Sequence, residues 1–192
     1  MTDTTEKTHK LETHGYIVRK AVPADSFKLA DYLTIILRDR MASIADADEM
    51  KLDGLVQHDY LTRLKDNAHA IAMVAECNGE VIGFLTCEGG KRRKVRHTAE
   101  VGMSVRSDWR RRGVAAAMVR ATERWARGTG VIRKLTLNVF EHNYAAIELY
   151  TKLGFEIEGT LRGQIMLDGK YQDLHLMGKF LNNEEEAETS GE

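Results

Sequence analysis

The segment Met103-Ser-Val-Arg-Ser-Asp-Trp-Arg-Arg-Arg-Gly-Val-Ala115 constrains the fold of this chain more than any other. It reads as a strand, a short basic turn around Gly113, and the start of an alanine-rich helix. A helix entered through such a turn leaves its first backbone N–H groups unpaired, and the aligned peptide dipoles add partial positive charge there. Both features suit a phosphate. Arg110, Arg111 and Arg112 place further charge beside those amides. At this level two readings stand side by side: a phosphate cradle and a solvated basic turn.

The rest of the chain alternates between strand and helix signals. Tyr16 to Val22 predicts a first strand. Residues 25–40 predict a helix, with Leu29, Leu33, Ile36, Leu37 and Arg40 on one face, and 55–66 a weaker one. Ala70–Glu76 and Val81–Cys87 read as strands joined by Asn78-Gly79, a strong hairpin signal. Thr98–Val105 is the next strand, preceded by the basic loop Lys91–His97. Val114, Ala117, Met118, Ala121 and Trp125 predict a helix over 114–127, ended by Gly128 and Gly130. Leu135–Phe140 alternates as a strand, and a helix from about Asn143 to Leu153 stops at Gly154. Phe155–Gly159 and Lys170–Phe180 read as closing strands, the second after an Asp168-Gly169 turn. The order β-α-α-β-β-β-α-β-α-β-β predicts a mixed α/β domain.

Composition narrows the function classes. Of 192 residues, 43% are hydrophobic and 30% charged, which suits one soluble domain with a real core. That domain is expected over 15–181. The polar segment 1–14 and the segment 182–192, with Glu184, Glu185, Glu186, Glu188 and Glu192, are expected to be disordered. A net charge of −1 gives no global reason to expect nucleic acid or a membrane. No apolar run approaches the roughly 20 residues of a membrane span, and the N-terminus lacks an apolar signal core. A cytoplasmic protein is expected. Cys77 and Cys87 lie in strand-like runs without a CxxC and are expected to be reduced. The histidines show no metal-ligand spacing, so no metal is expected.

Asn143, Ile147 and Tyr150 recur at i, i+4 and i+7, which puts them on one helix face. Asn143 and Tyr150 are then about 10 Å apart along the axis. A helix cap and a core tyrosine explain them as well as any ligand does, until they are set beside the Gly113 turn.

Taken together, residues 98–159 resemble the GCN5-related N-acetyltransferase (GNAT) superfamily. Its signature Q/R-x-x-G-x-G/A is matched by Arg110-Arg111-Arg112-Gly113-Val114-Ala115. A second block follows in Asn143-Tyr-Ala-Ala-Ile-Glu-Leu-Tyr150 and Lys152-Leu-Gly-Phe155. The resemblance extends more loosely over about 15–181. It implies a mostly antiparallel sheet, splayed at an acetyl-CoA site and flanked by about four helices. It also implies that the amides of Arg111, Arg112, Gly113, Val114 and Ala115 hold the pyrophosphate. The pantetheine arm would pair with the strand at Met103 and Val105, Asn143 would bond that arm, and Tyr150 would stand near the sulfur. A homodimer is implied by analogy alone.

The implied reaction sets two proton problems. The attacking amine must be neutral, and the departing thiolate must be stabilised. Tyr150 is the candidate acid, a mild one, because a phenol of pKa about 10 lies above a thiol of about 8.5. Glu100, five residues before Val105 on the strand, is the candidate base; the plain alternative is a surface glutamate. Glu76 and Glu141 are weaker candidates. Ribosomal-protein acetyltransferases of the superfamily carry a catalytic glutamate on the strand before the second helix. Asn138 stands there in this chain, which argues against a peptide N-terminus of that type as acceptor. The strand Thr98–Val105 and the ending Phe155–Gly163 look closer to the branch that acetylates amino acids and other small amines. Lys91–His97, with five Lys or Arg in seven residues, reads as a solvated loop. It lacks the interleaved aromatics of an RNA surface. Three functions are thus carried forward: small-amine acetylation, protein acetylation, and a non-catalytic acyl-CoA-binding module.

Overall fold

The computed structural model describes residues 15–38, 52–65 and 67–181. The two polar ends, Arg40 and the basis for their expected disorder lie outside these. The elements are β1 (Ile17–Lys20), α1 (Ser26–Ile36), α2 (Gly54–Lys65), β2 (Ala70–Cys77), β3 (Glu80–Gly89), β4 (Thr98–Val105), α3 (Val114–Gly128), β5 (Lys134–Phe140), α4 (Tyr144–Lys152), β6 (Glu156–Leu167) and β7 (Lys170–Phe180). The order of strands and helices is the one the sequence implies.

The strands form one sheet in the order β1-β2-β3-β4-β5-β7-β6. Neighbours are antiparallel except β4 and β5, which run parallel. Asn78 and Gly79 both take positive φ (49° and 82°), as do Asp168 and Gly169 (51° and 73°), the pattern of tight hairpin turns whose twist matches the strands. One expectation needs extending. β6 runs to Leu167 rather than ending near Gly159, with register shifts at Ile157/Gly159 and Leu161/Ile165. Each shift breaks the period-two alternation that reveals a strand in sequence. At the second, Gly163 takes φ 59° and its N–H donates to Asp173 Oδ1 at 2.7 Å.

Alternation along the strands builds two cores. On one face, Val101, Val105, Leu135, Leu137 and Val139 pack with Val114, Met118 and Val119 of α3 and with Tyr150 and Leu153. On the other, Ala70, Ala72, Val74 and Val81 pack with Leu29, Tyr32, Leu33 and Ile36 of α1 and Leu61 and Leu64 of α2. The helix stripes at i, i+3 and i+4 are the cause. Gly83 lets α3 approach closely: a Cβ there would lie 2.9 Å from Met118 Sδ and 3.2 Å from Val114 Cγ1. Lys179 of β7 ties the far side together, donating to Glu123 of α3 (2.7 Å) and to the Leu153 carbonyl after α4 (2.6 Å).

The parallel junction positions the site. β4 and β5 pair only at Thr98–Lys134, Ala99–Leu135 and Glu100–Thr136. Beyond Glu100 the strands part. β4 keeps β3 on one side through Val105, and β5 keeps β7 on the other through Phe140. The β5-facing edge of β4 over residues 101–105 is therefore open, as the expected splay requires.

Candidate active site

The turn after β4 is built around backbone, as its sequence suggests. Gly113 takes φ 80° and N-caps α3. A Cβ there would meet nothing closer than Tyr16 Oη at 3.6 Å, so the left-handed backbone, not crowding, calls for glycine. Arg111 shares that conformation, with φ 60°. Among the described residues no backbone carbonyl accepts from the N–H groups of residues 111–116; the first such bond of the helix runs from Ala117 N to Gly113 O at 3.0 Å. The donor row is left for a ligand.

The three arginines do different things. Arg110 folds back, donating from Nε to the Val105 carbonyl at 3.3 Å. Arg112 stacks over Trp109 at 4.9 Å, and Trp109 meets Tyr16 edge-on at 6.3 Å. Arg111 lines a cleft of about 670 Å³ whose floor is Gly113, Ala116 and Ala117 and whose rim includes Arg112, Arg120 and Tyr16. The small alanines let a ligand lie against α3. Arg120 and Tyr16 were not singled out by sequence reasoning. Arg120 carried a readable signal, since it follows Ala116 by four residues on the same helix face; Tyr16, nearly a hundred residues away, carried none.

On α4, Asn143 is the N-cap, and its Oδ1 accepts from Ala146 N at 3.2 Å. Its plain structural role is real, and its Nδ2 remains a donor. Tyr150 is 7% exposed and lies in the same cluster as Val101, Val105 and Val139, which flank the opening between β4 and β5. Its ring packs on Phe155 at 5.6 Å. Its hydroxyl makes no hydrogen bond among the described residues, yet no side-chain polar atom there is both sealed from solvent and unpartnered. The phenol oxygen therefore keeps some contact with solvent. Burial pushes its pKa from 10.0 up to about 12.

The sign of that shift makes a prediction. The neutral phenol is the form that burial favours, so its contribution to stability is whole below about pH 10 and is lost as pH rises through about 12. The unfolding free energy from urea titrations across this interval should fall by about 2–3 kcal/mol less in Tyr150→Phe than in the parent, whose other buried groups are shared. Equal slopes would remove the shift from the account.

Glu100 closes the opening. It is exposed, it belongs to the last β4–β5 pair, and its Oε1 accepts from Asn138 Nδ2 at 3.1 Å. Five residues at about 3.3 Å set it some 17 Å from Val105, toward the closed end of the splay. Met103 lies half-buried on the edge between them. Glu76 is engaged elsewhere, accepting from Arg19 Nε at 2.9 Å, with Lys28 at 3.7 Å. Glu141 is half-buried just beyond β5, its N–H bonded to the Asp173 carbonyl. Lys91–His97 forms exposed turns between β3 and β4, at the end of β4 opposite the Gly113 turn. Cys77 and Cys87 are free thiols, and burial pushes Cys87 up to about 12.

A turn with a free row of amides, an unpaired strand edge leading from it and a carboxylate where that edge closes suit an acyl-CoA-dependent transferase. The profile of the acetyltransferase (GNAT) family matches residues 35–155, and the chain belongs to that family. It is an N-acetyltransferase that uses acetyl-CoA. The chain is 36% identical over 126 residues to the L-amino acid N-acetyltransferase of Escherichia coli, covering 64% of this chain and 75% of that one. It is 29% identical over 173 residues to the Escherichia coli ribosomal protein uS5-alanine N-acetyltransferase, covering 85% and 87%. Likeness to the spermidine N(1)-acetyltransferase of Escherichia coli is 29% over 100 residues, about half of each chain (52% and 53%). Among solved structures, a GNAT acetyltransferase from Streptococcus pneumoniae superposes with TM-score 0.82 at 26% identity, over 87% of this chain and 99% of that one. An acetyltransferase from Salmonella typhimurium, solved with its cofactor acetyl-CoA, shares the fold with TM-score 0.78 at 19% identity, over 88% and 95%. Among the described residues no helix is long and apolar enough to cross a membrane.

Proposed function

We propose that this enzyme acetylates the primary amine of a small molecule, with amino acids and related amines as the first acceptors to test. The carrying observation is Glu100, at the closed end of the splay and oriented by Asn138. Acetyl-CoA supplies the acetyl group as an activated thioester. The N–H groups of residues 111–115 and the side chains of Arg111 and Arg112 would hold its phosphates. The open edge at Met103 and Val105, together with Asn143 Nδ2, would hold its arm. Glu100 takes the proton from the ammonium, directly or through a water, and so frees the lone pair for attack.

Tyr150 takes a narrower role than general acid. With its pKa near 12, handing its proton to a thiolate of about 8.5 runs uphill by roughly 5 kcal/mol. It instead donates a hydrogen bond that stabilises the departing sulfur. Tyr150→Phe should lower kcat by about 10²-fold, as loss of one donor to a developing anion does, and leave acetyl-CoA binding within about twofold. Thiol release and calorimetric binding measure the two. Unchanged turnover would sink this role, and no thiol release by the parent with any amine would reduce the protein to an acyl-CoA-binding module.

A second reading, acetylation of a protein N-terminus, is favoured by the longer span of likeness to the uS5-alanine enzyme. Asn138 at the position of that branch's glutamate weighs against it. Competition between free amines and an alanine-ended peptide separates the two. A cytoplasmic homodimer completes the proposal. Exposed Ile157, Leu161, Met166 and Phe180 on the closing hairpin support the dimer, and sedimentation tests it.

A further inference from the structure

The cleft over the Gly113 turn takes one of its lining residues from far away in sequence. Tyr16 stands just before β1 and alternates with Val18 onto the α3 face of the sheet, where both join the core. Its side chain is 3% exposed. Its ring meets Trp109 edge-on, and Arg112 lies over the Trp109 ring. The ring by itself is an ordinary core aromatic, and phenylalanine would fill the place as well. The hydroxyl is what needs a reason.

Among the described residues that hydroxyl makes no hydrogen bond. A phenol oxygen buried without a partner is costly. Yet no side-chain polar atom there is both sealed from solvent and unpartnered, so the oxygen has an outlet. It lies 3.6 Å from the point where Gly113 would carry a Cβ, and Tyr16 shares the lining of the cleft with Gly113, Ala116 and Ala117. The rest of that lining is Arg111, Arg112 and Arg120, with no carboxylate. Three kinds of donor thus face one space: the free amides of the turn, guanidinium groups, and a hydroxyl held by a buried ring. Donors gathered without an acceptor among them suit an anion rich in oxygen.

We propose that Tyr16 is a cofactor-binding residue whose hydroxyl donates a hydrogen bond to the diphosphate of acetyl-CoA on the Gly113 turn, so that the start of β1 forms a second wall of the phosphate site. This rests on the diphosphate lying at that turn. The ring fixes the hydroxyl in place, because it is packed in the core against Trp109. The donor is therefore oriented before the cofactor arrives, and little side-chain freedom is lost on binding. The same ring steadies Trp109, on which Arg112 rests.

The test is calorimetric binding of CoA to the parent, Tyr16→Phe and Tyr16→Leu. Tyr16→Phe keeps the ring and removes only the hydroxyl. It should weaken CoA by about 10-fold or more, the range for one hydrogen bond to a charged group, and leave the urea midpoint no lower than in the parent. Tyr16→Leu removes the ring as well and should weaken CoA further. With any amine the parent acetylates, Tyr16→Phe should raise KM for acetyl-CoA with kcat held, and should leave kcat/KM for S-acetylpantetheine, which has no diphosphate, unchanged. CoA affinity within twofold of the parent in Tyr16→Phe would overturn the proposal and leave Tyr16 a core aromatic. An equal loss with both donors would overturn it too, since the hydroxyl would then act on the arm or on the fold. Should Gly113→Asp and Gly113→Asn bind CoA equally, the placement of the diphosphate would fall and this proposal with it, while acetyl transfer would stand.

Discussion

Replacing Glu100 by glutamine lowers kcat by about 10²–10⁴-fold with every acceptor, the range for removing a positioned general base. Acetyl-CoA binding and the denaturation midpoint should stay as in the parent. Glutamine keeps an oxygen able to accept from Asn138 Nδ2, so the local geometry survives, and only the ability to hold a proton is lost. The size of the loss follows from the acceptor. At neutral pH a lysine-like amine is neutral for well under about 0.1% of the time, so a nearby base changes the reactive fraction greatly. The deficit should shrink as pH rises toward the amine's own pKa, because solvent then does the deprotonation. A kcat that falls less than about threefold at neutral pH would assign the proton to water and leave Glu100 as a binding group.

The second large effect comes from the turn. Gly113→Asp should weaken acetyl-CoA by about 10²-fold, while Gly113→Asn should weaken it far less. Aspartate and asparagine both tolerate the left-handed backbone better than other side chains, and an added Cβ has room there. The pair therefore shares whatever strain φ 80° imposes and differs by one charge. That charge would sit against a diphosphate at a few ångströms, where repulsion reaches about 4 kcal/mol at intermediate dielectric before salt screens it. Calorimetry at two ionic strengths checks this, since the gap between the variants should narrow in high salt. Equal affinities for the two would move the pyrophosphate away from this turn.

How legible each part was depended on how local its cause is. The Asn78-Gly79 and Asp168-Gly169 turns, the Gly113 turn and the stripe of α3 were readable, because each rests on residues within a few positions of one another. The end of β6 was not, because two bulges shift its faces relative to β7 and hide the alternation. Asn143 was legible as both a cap and a ligand donor, and the structure gives its oxygen to the first and leaves its amide for the second. Glu100 could be suspected from its place on the strand, but nothing local distinguished it from a surface glutamate.

By itself, then, the amino-acid sequence determined the elements, their order, the family and the donor: a glycine-dependent backbone turn and a helix N-terminus are made by neighbouring residues, and so is their affinity for phosphate. Only the tertiary structure decided which residues stand beside Glu100. β4 and β5 part after Glu100–Thr136, Asn138 turns onto Glu100, and Glu88 comes opposite it through pairing across the Lys91–His97 loop. These are relations of register between segments distant in sequence. Register is set by the summed packing of two cores and the hydrogen bonds of a whole sheet, so no short stretch of residues can carry it.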